Sequence, residues 1–168
     1  MTVRRRLALS AILSGFIILA TPSLAAAALA ITVPSSAGLG TVPTGAGTRS
    51  AQLGTVEVTA SGLVAPSYTA QVSSTTFTTG GQSVAETIPK ASISYWSGPV
   101  TTSTGLQTAV PGQLTALQAQ ALSTTRTAFS STGLVLSITT SWNPTIIVAI
   151  PAAAVAGTYT GTITHSVA

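Results

Sequence analysis

Near its C-terminus the chain reads Thr158-Tyr159-Thr160-Gly161-Thr162-Ile163-Thr164-His165-Ser166-Val167. Thr158, Thr160, Thr162 and Thr164 alternate with Tyr159, Ile163, His165 and Val167. Period two over ten residues separates an apolar face from a hydroxylated one, which a helix of 3.6 residues per turn could not do. The pattern predicts an antiparallel strand with one packed and one wet face.

The same alternation recurs upstream. Val56 and Val58 oppose Thr55, Glu57 and Thr59, and Tyr68, Ala70 and Val72 oppose Ser67, Thr69, Gln71 and Ser73. Ile93 with Tyr95, and Leu134, Leu136 with Ile138, repeat it. Thr145–Ile150 is continuously apolar, as a central strand would be, and Thr125–Ser130 with Phe129 reads as another. Ile31–Val33 and Leu39–Val42 read as short edge pieces. Turn residues separate these segments at Gly62, Gly80-Gly81, Gly98-Pro99, Pro111-Gly112, Asn143-Pro144 and Gly157. Seven or more short strands predict an all-β fold, a single antiparallel β-sandwich of immunoglobulin-like or related Greek-key type. One stretch departs from the pattern. Within Gly112–Ser123, residues Leu114, Leu117, Ala121 and Leu122 sit at helical spacing, so the segment is either a short helix or a connecting loop.

The N-terminus predicts a secretory signal over residues 1–30. Arg4, Arg5 and Arg6 precede an apolar run from Leu7 to Ala20, and Thr21-Pro22-Ser23 leads into small residues. Leu7–Ala20 is shorter than the roughly 20 residues a membrane helix needs. Ala28-Leu29-Ala30 gives the favoured cleavage point, with Ser23-Leu24-Ala25 also fitting the small-x-small rule. The expected mature domain is residues 31–168, outside the cytoplasm and with no stable membrane span.

Losing three arginines lowers the formal charge from +4 to +1, which leaves no basic stripe for nucleic acid. With no Cys, no disulfide framework is available, and the fold must rest on its core. Beyond residue 30 the titratable inventory is Glu57, Glu86, Arg49, Lys90, Arg126, His165 and the tyrosines. Catalysis and metal binding need several such groups at one spot. A non-enzyme without cofactor, metal or catalytic residues is therefore expected.

Three stretches carry a family resemblance. Leu53-Gly54-Thr55-Val56-Glu57-Val58-Thr59 is followed by the Ser-rich segment Ser67–Phe77. Ile146–Pro151 leads through Ala156-Gly157-Thr158-Tyr159 into the Thr-alternating close. Val33-Pro34 to Leu39-Gly40 forms the opening. Together they resemble the WxL domain family of Gram-positive cell-surface proteins. Tyr68-Thr69-Ala70 and His165-Ser166-Val167 stand where that family has its two Trp-x-Leu motifs, so the resemblance is to the framework of a divergent relative. It implies a cell-surface location and non-covalent attachment to the cell wall, through peptidoglycan, or to a partner surface protein. The scarcity of charge leaves self-association as the alternative, a structural subunit of a surface layer or fibre.

Candidate ligand-contact aromatics are Trp96, Trp142 and Tyr68. Trp96 and Trp142 could stack on apolar sugar faces together with Tyr95, or could simply fill the core. His165 reads as a structural core residue. Lys90 and Asn143 are the only residues of their types, and an isopeptide cross-link between them would need Glu57 or Glu86 as proton shuttle.

Overall fold

The computed structural model describes residues 28–43, 45, 47–62, 66–134 and 136–168. The expected signal segment therefore lies outside the described residues up to position 27. The strands are β1 (Ala28–Thr32), β2 (Thr48–Gln52), β3 (Val56–Ser61), β4 (Ser67–Ser74), β5 (Phe77–Thr78), β6 (Thr87–Ile88) and β7 (Ile93–Trp96). They continue with β8 (Val100–Thr104), β9 (Gln107–Pro111), β10 (Gln120–Ala121), β11 (Arg126–Gly133), β12 (Ser137–Trp142), β13 (Thr145–Ala149) and β14 (Ile163–Val167). All pairings are antiparallel, in three four-stranded sheets ordered β1-β3-β12-β8, β10-β7-β13-β2 and β14-β4-β11-β9, with β5 and β6 forming a ribbon.

Two of these sheets are one sheet bent at a corner. The order β3-β12-β8 is matched by β2-β13-β7, and each pair is joined directly in sequence. The bends fall at Leu53-Gly54-Thr55, Ser97-Gly98-Pro99 and Asn143-Pro144. Gly54 (φ 93°) and Gly98 (φ 75°) supply backbone that a residue with a Cβ rarely adopts. Pro144 cannot donate to a ladder, and its carbonyl accepts a bond from the Leu53 amide across the corner at 2.8 Å.

The third sheet packs against this bent layer, giving an all-β antiparallel sandwich. The expected inward faces are buried: Val56, Val58 and Ala60 on β3, Tyr68, Ala70 and Val72 on β4, Ile93 and Tyr95 on β7, and Ile146 and Val148 on β13. Across the layers Phe129 stacks on Trp142 with ring centroids 4.7 Å apart. Each such fully buried large side chain contributes about 1.5–3 kcal/mol from area removed from water.

A polar clip joins the sheets at the other end. The Gln107 amide nitrogen donates to the Thr104 and Thr139 carbonyls, both at 2.7 Å. Its oxygen accepts from the hydroxyls of Ser131 (2.7 Å) and Thr140 (2.8 Å). One side chain thus ties β9 and β11 in one sheet to β8 and β12 in the other.

Several expectations need correction. Gly112–Ser123 is not an α-helix: Ala116–Gln118 is one turn of 3₁₀ helix, and Gln120–Ala121 is β10. Leu122 is buried, but Leu114 and Leu117 face solvent, so the spacing marked no packed stripe. Leu134 and Leu136 precede β12, in the turn after β11, where the Leu134 amide donates to the Leu106 carbonyl at 2.8 Å. Leu106, Leu134 and Leu136 are all exposed there. Leu39–Val42 forms no strand, whereas β8, with its exposed Ser/Thr run, and β9 are strands whose sequence carried no clear alternation.

Candidate functional site

The three candidate aromatics do not form a platform. Trp142 is 0% exposed and Tyr68 3% exposed, so neither presents a ring to a ligand. Trp142 belongs to the packed face of β12 and lies against Phe129, where its large apolar surface is best spent. Tyr68 sits on the inward face of β4, its hydroxyl near those of Thr140 and Ser131 but unbonded. Burial raises the pKa of its phenol. Only Trp96 is half-buried, and it points away from Ile93 and Tyr95 as period two requires.

Nor do the scarce charges converge. β7 and β13 pair from Ile93↔Val148 to Trp96↔Thr145. Lys90 precedes one end of this ladder and Asn143 lies beyond the other, roughly 10 Å or more away at about 3.3 Å per residue. Lys90 is exposed. Glu57 accepts a hydrogen bond from the Ser141 hydroxyl at 2.9 Å, and Glu86 accepts from the Ser83 hydroxyl at 2.6 Å. The register thus holds the proposed isopeptide partners apart. No group of three His, Cys, Asp or Glu side chains gathers anywhere among the described residues.

His165 has a more specific setting than core filler. The Trp142 indole N–H donates to the Tyr95 hydroxyl at 3.2 Å, and that hydroxyl lies 3.3 Å from His165 Nε2. The Tyr95 oxygen accepts from Trp142 and shares one further bond with Nε2, whose direction follows the imidazole tautomer. Burial lowers the pKa of the imidazole to about 4 and raises that of the Tyr95 phenol.

An extended surface feature is the outer face of the β14-β4-β11-β9 sheet. Thr164 pairs with Ser73, Ser166 with Gln71, Gln71 with Thr127, Thr69 with Ser130, and Thr132 with both Ser67 and Thr108. These side chains are exposed or half-buried, and each carries a hydroxyl or a carboxamide. The one nearby cation, Arg126, donates from Nε to the Ala121 carbonyl at 3.0 Å and stands opposite the inward-facing Val72. Among the described residues this face is uncharged. Its β4 and β14 rows follow from the sequence alternation. Thr108, Thr127 and Thr132 were missed as members, because pairing between distant strands leaves no periodic signal.

Among the described residues no helix is long and apolar enough to cross a membrane. No protein-family model, curated protein or solved structure matches the chain.

Proposed function

We propose that this chain is a secreted, non-enzymatic cell-surface domain, similar in framework to the WxL domains, that attaches non-covalently to cell-wall polymer. The observation that carries this reading is the uncharged, four-stranded face of hydroxyls and carboxamides, interrupted by the exposed Val110 on β9. A neutral, polyhydroxylated polymer exchanges hydrogen bonds with such a face without desolvating any charge. Few titratable groups and their lack of convergence speak against group-transfer chemistry as the main role.

Co-sedimentation of the purified protein with isolated cell walls tests the proposal. Wild-type protein is expected in the wall pellet, and the double substitution Thr69→Glu, Gln71→Glu is expected to release it. Pelleting that is unaffected by charges on this face would refute its role.

The alternative reading is a self-assembling subunit of a surface layer or fibre. Its support is the edge strand β8, paired on one side only, with residues 101–104 exposed and none charged. In the same experiment such a subunit would sediment without walls.

Export carries a structural preference for the cleavage bond. Ala28, Leu29 and Ala30 pair with Ser61, Ala60 and Thr59, and Leu29 packs against the core. Cleavage after Ala30 would remove more than half of β1, whereas cleavage after Ala25 leaves it whole. Ala26 is therefore the proposed first residue of the secreted protein. N-terminal sequencing that returns Ile31 would overturn this choice.

A further inference from the structure

The bent sheet leaves a cavity of about 1080 Å³ on its open side, between β13, β14 and the segments 33–43 and 154–162 that cross over it. This volume is at the upper end of the roughly 300–1,000 Å³ of small-molecule sites. Val56, Phe77, Ile146, Val148 and Ile163 form much of its inner wall. These residues are buried or half-buried, whereas most of the covering segments are exposed, so the space is a groove open to solvent with the edge of the core as its floor.

The polar side chains on the lining sit mostly on the exposed covering segments, where Ser35, Ser36, Thr41, Thr158, Thr160 and Thr162 add hydroxyls. The Tyr159 hydroxyl donates to the Ala85 carbonyl at 2.8 Å. Burial keeps the His165 imidazole neutral at pH 7, so it adds no charge to the interior. Neither carboxylate of the described chain lines the cavity. Among the described residues the single charged lining residue is Arg49, an exposed residue of β2 and therefore at the opening. Its Nε donates to the Leu39 carbonyl at 2.5 Å, which sets the guanidinium beside Gly40 and pins the covering segment. The groove thus has an apolar floor along β13 and a hydroxylated cover, with one fixed cation at its mouth and no anion to oppose it among the described residues.

We propose that this cavity binds a single acyl chain with an acidic head group, the head paired with Arg49 and the chain lying along β13 and β14. A sugar would strand its hydroxyls against apolar walls, and an extended peptide would leave its backbone groups unpaired there. An acyl chain has no such groups. Its carboxylate can reach a guanidinium in a charge-assisted pair. The site is separate from the hydroxylated outer face and does not depend on wall attachment.

The test uses purified protein and the fluorescent fatty acid cis-parinaric acid, below its micelle concentration, with octadecanoic acid and octadecanol as competitors. Saturable binding of one probe per chain is expected, with displacement by both competitors. Arg49→Gln keeps a donor for Leu39 but removes the charge, and should weaken the acid about tenfold while leaving the alcohol unchanged. Arg49→Lys should retain most of the affinity for the acid. Leu39→Asp, placing a carboxylate on the lining, should abolish binding of both. Leu134→Ser, in the exposed leucine turn at the far end, should change nothing. Absence of saturable binding by folded protein would overturn the proposal, as would equal weakening of acid and alcohol in Arg49→Gln or loss of binding in Leu134→Ser.

Discussion

Acid should destabilise this protein chiefly through one imidazole. His165 has a folded-state pKa of about 4 against an ordinary value of 6.5, because burial disfavours the charged ring. Between these values the unfolded chain binds a proton that the folded chain refuses, so stability falls as pH drops. The contribution is fully present above pH 6.5 and lost as the pH falls to about 4. A displacement from 6.5 to about 4 corresponds to roughly 3 kcal/mol, of which about 2 kcal/mol is gone by pH 5. Against a typical total of about 5–15 kcal/mol that loss is large. Urea unfolding followed by tryptophan fluorescence at half-unit steps from pH 7.5 to 4 measures it. His165→Gln cannot titrate and should flatten the profile, and Glu57→Gln with Glu86→Gln in the same background isolates the imidazole. Wild-type stability that is constant over this window would refute the reasoning, as would a His165→Gln profile with the wild-type slope.

His165→Leu should itself cost about 1–3 kcal/mol at neutral pH, since it removes one of the two hydrogen bonds of the buried Tyr95 hydroxyl, and chemical denaturation will read this directly. Ile163→Ala should cost about 1–3 kcal/mol, because Ile163 is half-buried against the core, whereas exposed Thr162→Ala should stay within about 0.5 kcal/mol. Equal losses at the two would mean that the hydroxylated face is also covered. Trp142→Ala should cost about 3–5 kcal/mol and Trp96→Ala distinctly less, a contrast measurable by thermal unfolding. Gln107→Leu should cost at least about 2 kcal/mol, since it leaves the Ser131 and Thr140 hydroxyls without their acceptor. A neutral result would show that the two sheets do not need the clip.

Alternation made the inward residues readable: Val56, Val58, Tyr68, Ala70, Val72 and Ile93 are buried where period two puts them. The turn residues were equally readable, since Gly98-Pro99 and Asn143-Pro144 do mark strand ends. What they could not reveal is that these turns are corners of one bent sheet, because that depends on which distant strands pair. The aromatic residues misled for a related reason. Trp142 stands next to Asn143-Pro144, which suggested a partly covered ring, yet it is the last inward position of β12 and Phe129 closes over it. The Tyr95–His165 contact and the Gln107 clip join residues far apart in sequence, so neither left a local trace. Leu134 and Leu136 imitated a strand because Leu is apolar in a turn as well as in a core.

The pairings also fix when the chain can fold. Thr48 on β2 finds its partner only in Ala149 on β13, and Ala70 on β4 is matched by Val167, next to the end of the chain. Apart from the β5–β6 ribbon, no sheet is completed by consecutive strands, and folding dominated by such distant contacts belongs to the slow range of milliseconds to seconds. The sheet around β4 is therefore bordered on both sides only once β11 and β14, one of them about ninety residues further along, are both in place.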